Sequence, residues 1–210
     1  MFEFRRGVNL DLVIRLFQCT RCLSGGIVVV LPKHLVPVVD HIRALPAAAL
    51  PEPWKRSGVF SVGGLTDVGF APSSDMLLVI SSQGRGLFDC LSGEKMDRDY
   101  DDGFYFDTMA LEAEGIGAIA GRSVRTAGLH GGGLARQTND GWAAEELHID
   151  WPESTLLLVE PGSWIYGKAF DKPTKYTKVH VDSEVRTWGF SPTGRSLVLA
   201  TSTDLTLFYR

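Results

Sequence analysis

The sequence predicts a mainly β fold made of repeated antiparallel sheets, each unit about 40 residues long, with a short N-terminal helix. Two observations predict it. Four of the ten prolines, Pro32, Pro72, Pro152 and Pro192, are spaced by 40, 80 and 40 residues, with Glu112 at the vacant place. A short apolar run follows each of them: Val36-Pro37-Val38-Val39, Met76-Leu77-Leu78-Val79-Ile80, Leu156-Leu157-Leu158-Val159 and Leu197-Val198-Leu199-Ala200. After Glu112 the same slot holds Ile116-Gly117-Ala118-Ile119. A period near 40 is the length of one four-stranded propeller blade, so the expected architecture is propeller-like.

Taken in chain order, residues 9–23 carry apolar residues and charges at the spacing of a short helix with one buried face. Residues 27–31 read as a strand, and 33–45 as either part of the first unit or an amphipathic helix interrupted at Pro37. The strongest units are Asp67-Val68-Gly69-Phe70-Ala71-Pro72-Ser73-Ser74-Asp75 and Arg186-Thr187-Trp188-Gly189-Phe190-Ser191-Pro192-Thr193-Gly194. Both read as a strand, a Gly-Phe-small-Pro corner, a polar turn and a second strand. Proline presets φ in such a turn and the small polar residues supply local hydrogen bonds. Trp151-Pro152-Glu153-Ser154 is expected to repeat them with Trp at the aromatic place. The plan is one propeller-like domain over 1–210, in which 1–50 form a helix-containing element. Closure is expected to pair Met1-Phe2-Glu3-Phe4-Arg5 with Leu205-Thr206-Leu207-Phe208-Tyr209.

The run Phe190-Ser191-Pro192-Thr193-Gly194-Arg195-Ser196-Leu197, ahead of an alternating strand, resembles a blade of the WD-repeat propeller family. Phe70 to Leu77, followed by the Asp89-Cys90-Leu91-Ser92-Gly93 turn, resembles a second blade. The Gly-His and Trp-Asp dipeptides of that family are absent. The resemblance implies a rigid frame whose loops bind other proteins.

A net charge of −4 argues against a non-specific nucleic-acid binder, which needs a basic stripe to displace counterions. Asp11 and Arg15 interrupt the apolar run of a signal peptide, and no stretch approaches 18 uninterrupted apolar residues. A cytoplasmic protein without a membrane partner is expected.

The acids cluster. Asp97, Asp99, Asp101 and Asp102 fall within six residues around Arg98 and Tyr100, and these four acids with Tyr100 are the candidate partner-binding residues. Concentrated charge accelerates association with a basic partner. Their alternation also echoes a calcium loop, but glycine arrives one place late and Thr108 stands where a Glu is required. Cys19 and Cys22 would form half a zinc site, yet the spacing to His34 and His41 misses that of a two-Cys two-His finger. Two buried thiols on one helix face account for them better, and Cys90 reads as core. No metal or cofactor is expected.

No nucleophile elbow, phosphate loop or zinc-protease motif occurs, and His34, His41, His130, His148 and His180 are scattered. Gly115 to Gly121 departs from a dinucleotide fingerprint and reads as strand and turn. Around Gly131-Gly132-Gly133 and residues 137–141 a surface loop is expected. Of the late aromatics, Trp164 or Tyr166 is expected to face outward.

The expected function is non-enzymatic protein binding. In size, acidity and degenerate repeats the chain is similar to bacterial immunity proteins, which bind and neutralise a cognate toxin, such as a basic nuclease. The alternatives are a WD-like scaffold or adaptor, and a hydrolase with a site assembled from separate blades.

Overall fold

The computed structural model describes residues 32–101 and 103–210. The chain divides into two compact units, Met1–Asp40 and His41–Arg210. Of the first, the described part is a turn leading into helix α1 (Val36–Ala44). Pro37 sits in the first helical turn, where its missing N–H leaves no hydrogen bond unmade. Of the two readings of 33–45 the helix is the one found, over Val36–Ala44 and without an interruption at Pro37. The expected helix over 9–23, the strand over 27–31, Cys19, Cys22 and Asp102 lie outside the described residues.

In the second unit, beyond the end of α1, all strands pair antiparallel. Its strands are β1 (Lys55–Ser61), β2 (Leu65–Phe70), β3 (Met76–Ser81), β4 (Gly84–Asp89), β5 (Glu94–Asp99), β6 (Phe106–Asp107), β7 (Glu112–Glu114), β8 (Ser123–Arg125) and β9 (Ala127–Gly128). They continue with β10 (Ala143–Asp150), β11 (Glu153–Val159), β12 (Tyr176–Asp182), β13 (Val185–Phe190), β14 (Ser196–Thr201) and β15 (Asp204–Tyr209). Four sheets result, ordered β5-β4-β3-β2-β9, β6-β7-β8, β10-β11-β12 and β1-β15-β14-β13.

Two of these sheets share one pairing scheme. Phe70 stands opposite Leu77 and Leu77 opposite Phe88; 120 residues later Phe190 stands opposite Leu197 and Leu197 opposite Phe208. Each inner strand carries its bulge at the same place, between Leu65 and Asp67 and between Val185 and Thr187. The outer strands match as well: Lys95 faces Phe88 as Arg56 faces Phe208, and Arg98 faces Gly86 as Val59 faces Thr206. Strand β1, which precedes β2 in the chain, thus completes the sheet of β13–β15. That place was expected for residues 1–5, which lie outside the described residues; β15 has Ser196–Thr201 on one side and Lys55–Ser61 on the other.

The Gly-Phe pair at each inner strand has a steric cause. A Cβ at Gly69 would lie 2.3 Å from the Arg125 carbonyl, and one at Gly189 would lie 2.8 Å from the Ala135 carbonyl. Each glycine lets another stretch of backbone cross its strand closely. Between those crossings the chain runs along both inner strands: Ala127 and Gly128 pair with β2, and Ala135 bridges Phe190. Gly131, Gly132 and Gly133 are exposed and lie outside the strands, as expected of a surface loop, with Gly131 bonded to Gly128.

Trp151 breaks the expected repeat. The β10–β11 hairpin closes with Asp150 opposite Glu153, so Trp151 and Pro152 form its turn and Trp151 is 84% exposed. Phe70 and Phe190 are buried strand ends, and Trp151 is not their counterpart. Likewise 116–119 is not a strand: Gly117–Ile119 is a single 3-10 turn between β7 and β8.

Three apolar clusters join the sheets in a row. Leu65, Phe88, Val198 and Leu205 lie between the β2–β5 and β13–β1 sheets. Trp142, Leu156, Trp188 and Phe208 join β13–β1 to β10–β12. Leu78, Leu87, Ala113 and Val124 join β2–β5 to β6–β8. Among the described residues no such cluster joins β6–β8 to β10–β12, and no closed ring is formed. No helix among them is long and apolar enough to cross a membrane.

Candidate functional site

The acidic cluster lies on β5, an edge strand of its sheet, and on the turn after it. Charged edge strands resist pairing with other chains through their open backbone groups. The bulge between Leu87 and Phe88 sorts its side chains onto two faces. Asp97 faces Leu87 and Asp99 faces Arg85, on the side packed toward β6–β8, where Leu87 is core. Lys95 faces Phe88 and Arg98 faces Gly86, on the side packed toward β1 and β15, where Phe88 is core. Acids and bases that alternate along the sequence are thus separated through the sheet.

Asp99 is anchored. Arg85, a buried side chain, donates from Nη2 to Asp99 Oδ2 at 2.5 Å and from Nη1 to the Glu114 carbonyl at 2.7 Å. Its guanidinium carbon also lies 4.5 Å from the Phe104 ring centroid. Asp99 Oδ1 accepts from the Asp101 backbone N–H at 2.9 Å. That backbone bond first, and the Arg85 bond second, hold the Asp99 carboxyl below the usual carboxylate range. Asp99 therefore neutralises a buried cation, while Asp97 and Asp101 are exposed. Asp101 Oδ1 accepts from the Gly103 N–H at 2.9 Å and shapes the turn.

The exposed acids have apolar company. Tyr100, Tyr105 and Met109 are 75%, 60% and 92% exposed. Among them Asp107 accepts from the backbone N–H groups of Ala110 and Met109, which hold its carboxyl below the usual range. Two aromatic rings, a methionine and several carboxylates thus share one short connection. Asp102 completes the expected set but lies outside the described residues.

Titratable groups also meet where sequence spacing gave no sign of it. Asp67, fully buried on β2, lies 2.7 Å from His130 Nδ1 and accepts from the His130 backbone N–H at 3.3 Å. The imidazole meets Phe106 edge-on at 5.2 Å. Among the described residues no serine, threonine or cysteine is hydrogen-bonded to that ring. On β10–β11, Ser154 Oγ donates to Glu146 Oε1 at 2.9 Å and lies 3.1 Å from His148 Nδ1. With the hydroxyl hydrogen on Glu146, His148 meets the oxygen as a donor, the reverse of a base activating a nucleophile. These contacts join residues far apart in sequence or in polar runs without a motif, and only the pairing of strands could have indicated them.

Trp164 is exposed and meets Tyr166 edge-on at 5.6 Å. Burial pushes the Tyr166 hydroxyl up to about 12. Among the described residues no three His, Cys, Asp or Glu side chains converge as a metal site would require. No known protein-family model matches the chain, and no curated protein matches it.

Proposed function

We propose that the protein is a non-enzymatic binding module whose partner is another protein. The observation that carries this reading is the exposed stretch from Asp97 on β5 to Met109 after β6, along which Tyr100, Tyr105 and Met109 are interspersed with Asp97, Asp101 and Asp107. Aromatic and methionine side chains are enriched at interface cores, and surrounding acids select a basic partner and speed its approach. Asp102 belongs to the same sequence cluster. Asp99 contributes by fixing the turn that presents its neighbours.

The framework under this surface is read as propeller-like, with the β2–β5 and β13–β1 sheets as two blades. Their common register supports that reading. Within the binding class we favour a small bacterial immunity protein that neutralises a basic toxin such as a nuclease, its acids occupying a cationic cleft.

Affinity purification with mass spectrometry tests the class: one basic toxic partner in a 1:1 complex supports immunity, and several unrelated partners point to an adaptor. Reversing Asp97 and Asp101 to Lys is expected to slow association about tenfold at low salt, and less at high salt. An unchanged on-rate removes this surface from the interface.

A further inference from the structure

The two matched sheets differ where their outer strands cover the fourth position of the repeat. In β15 and β1 that place holds Thr206, Phe208 and Arg56; residues 48–50, with Val179 and His180, cover it and leave a cavity of about 60 Å³. In β4 and β5 it holds Gly86, Phe88 and Lys95, and the cleft there, bounded by Ser61, Val62 and Gly63, is about 170 Å³.

Gly86 makes room for the Phe88 ring that floors the cleft. Its φ is not in the left-handed region, so the backbone does not demand glycine there. A Cβ at Gly86 would stand 3.8 Å from both Lys95 Cε and Arg98 Nη1, and 3.1 Å from Phe88 Cε2. A larger side chain, such as the threonine of the matching sheet, would press on that ring.

The lining has the chemistry of an anion site. Val79 and Phe88 form an apolar base, and Ser61 and Tyr100 bring hydroxyls. Arg98 donates from Nη2 to the Gln83 carbonyl at 2.7 Å, and its guanidinium carbon lies 4.9 Å from the Tyr100 ring centroid. These contacts fix the guanidinium plane while leaving further N–H groups to donate. The Lys95 ammonium has no hydrogen bond or ion pair among the described residues. Asp97 and Asp99, on the other face of β5, do not neutralise it. On this side Asp204 accepts from Thr203 Oγ1 at 2.7 Å and from Ser61 Oγ at 3.4 Å.

We propose that the cleft between the 61–63 turn and strands β3–β5 binds a compact oxyanion, a carboxylate or phosphate carried on a small apolar body, between Lys95 and Arg98. The apolar part lies on Val79 and Phe88, and the anion accepts from the guanidinium, the ammonium and the Tyr100 hydroxyl. This site shares Tyr100 with the acidic surface but does not depend on the protein-binding reading.

Amide-resolved NMR titration of the full chain tests it, with inorganic phosphate and with butyrate in separate series, each against sodium chloride at equal ionic strength. Saturable shifts confined to residues 83–87 and 95–100 are expected with at least one anion, and the one that saturates at lower concentration identifies the source. Lys95→Gln is expected to weaken the apparent affinity about tenfold, as removal of one charge-assisted contact does. Lys95→Gln changes an exposed side chain and is the variant that keeps the fold. No saturable local shift with either anion, or an unchanged titration in Lys95→Gln, overturns the proposal.

Discussion

Ser196 Oγ donates a 2.7 Å hydrogen bond to Asp75 Oδ1, joining the first residue of β14 to the turn that precedes β3. Thr193 Oγ1 reaches the same carboxylate at 2.8 and 2.9 Å, so two hydroxyls of one sheet converge on a buried acid of the other. Asp75→Ala leaves both hydroxyls without that acceptor. It is expected to lower unfolding stability by roughly 2–3 kcal/mol, and Ser196→Ala by about 1 kcal/mol. Urea unfolding checks both; equal, negligible losses would remove the carboxylate from the joint between the sheets.

Phe70, Phe190 and Trp151 separate the true repeat from its imitation. Truncating either buried phenylalanine to Ala is expected to cost about 3–5 kcal/mol. Trp151→Ala, at an exposed turn, is expected to change stability by less than about 0.5 kcal/mol. Thermal or urea unfolding of the three variants compares them directly. A Trp151 loss as large as the others would contradict the pairing of Asp150 with Glu153.

Gly69→Ala places a methyl group against the Arg125 carbonyl, which belongs to backbone and cannot swing away. A destabilisation of about 1–3 kcal/mol is expected, as for overpacking elsewhere. Denaturant midpoints test it, and an unchanged midpoint would mean that the crossing segment does not lie so near β2.

Acid should weaken the fold through three carboxylates. Asp99, Asp107 and Asp140 all have folded-state values lowered below the ordinary one; for Asp140 the leading cause is its hydrogen bond from Arg210. Each depressed carboxyl contributes stability that is present above its unfolded value, about 3.9, and is lost as pH falls through the folded value. Asp140→Asn should therefore fall below the parent protein in stability at pH 5, with the gap closing as the solution is acidified further. Unfolding curves from pH 6 downward measure it; a gap that widens toward acid has the wrong sign.

The corner of each strong repeat was legible because Gly-Phe-small-Pro states a local geometry: a close backbone crossing, a buried ring and a preset φ. The helix around Pro37 was legible only as one alternative, because its start, which puts the proline in a first turn, was not marked locally. Pro152 shares the spacing but not the pairing, and spacing along a chain does not record which residues face each other. That is why Trp151 was expected at the aromatic place of the repeat. The partner of β15 was hidden for the same reason, since Lys55–Ser61 pairs with residues more than 140 positions later. The acidic run was visible, but its division between two faces depends on a bulge between Leu87 and Phe88 that no local residue type announces. The cleft between Lys95 and Arg98 is visible only when the two sheets are compared position by position.

The most direct test is the neighbour of β15, read from cross-strand nuclear Overhauser contacts in solution. The structure predicts backbone contacts from Val59 to Thr206 and from Phe60 to Leu205. Contacts from residues 1–5 to β15 in their place would contradict it, and with them the equivalence of the two sheets.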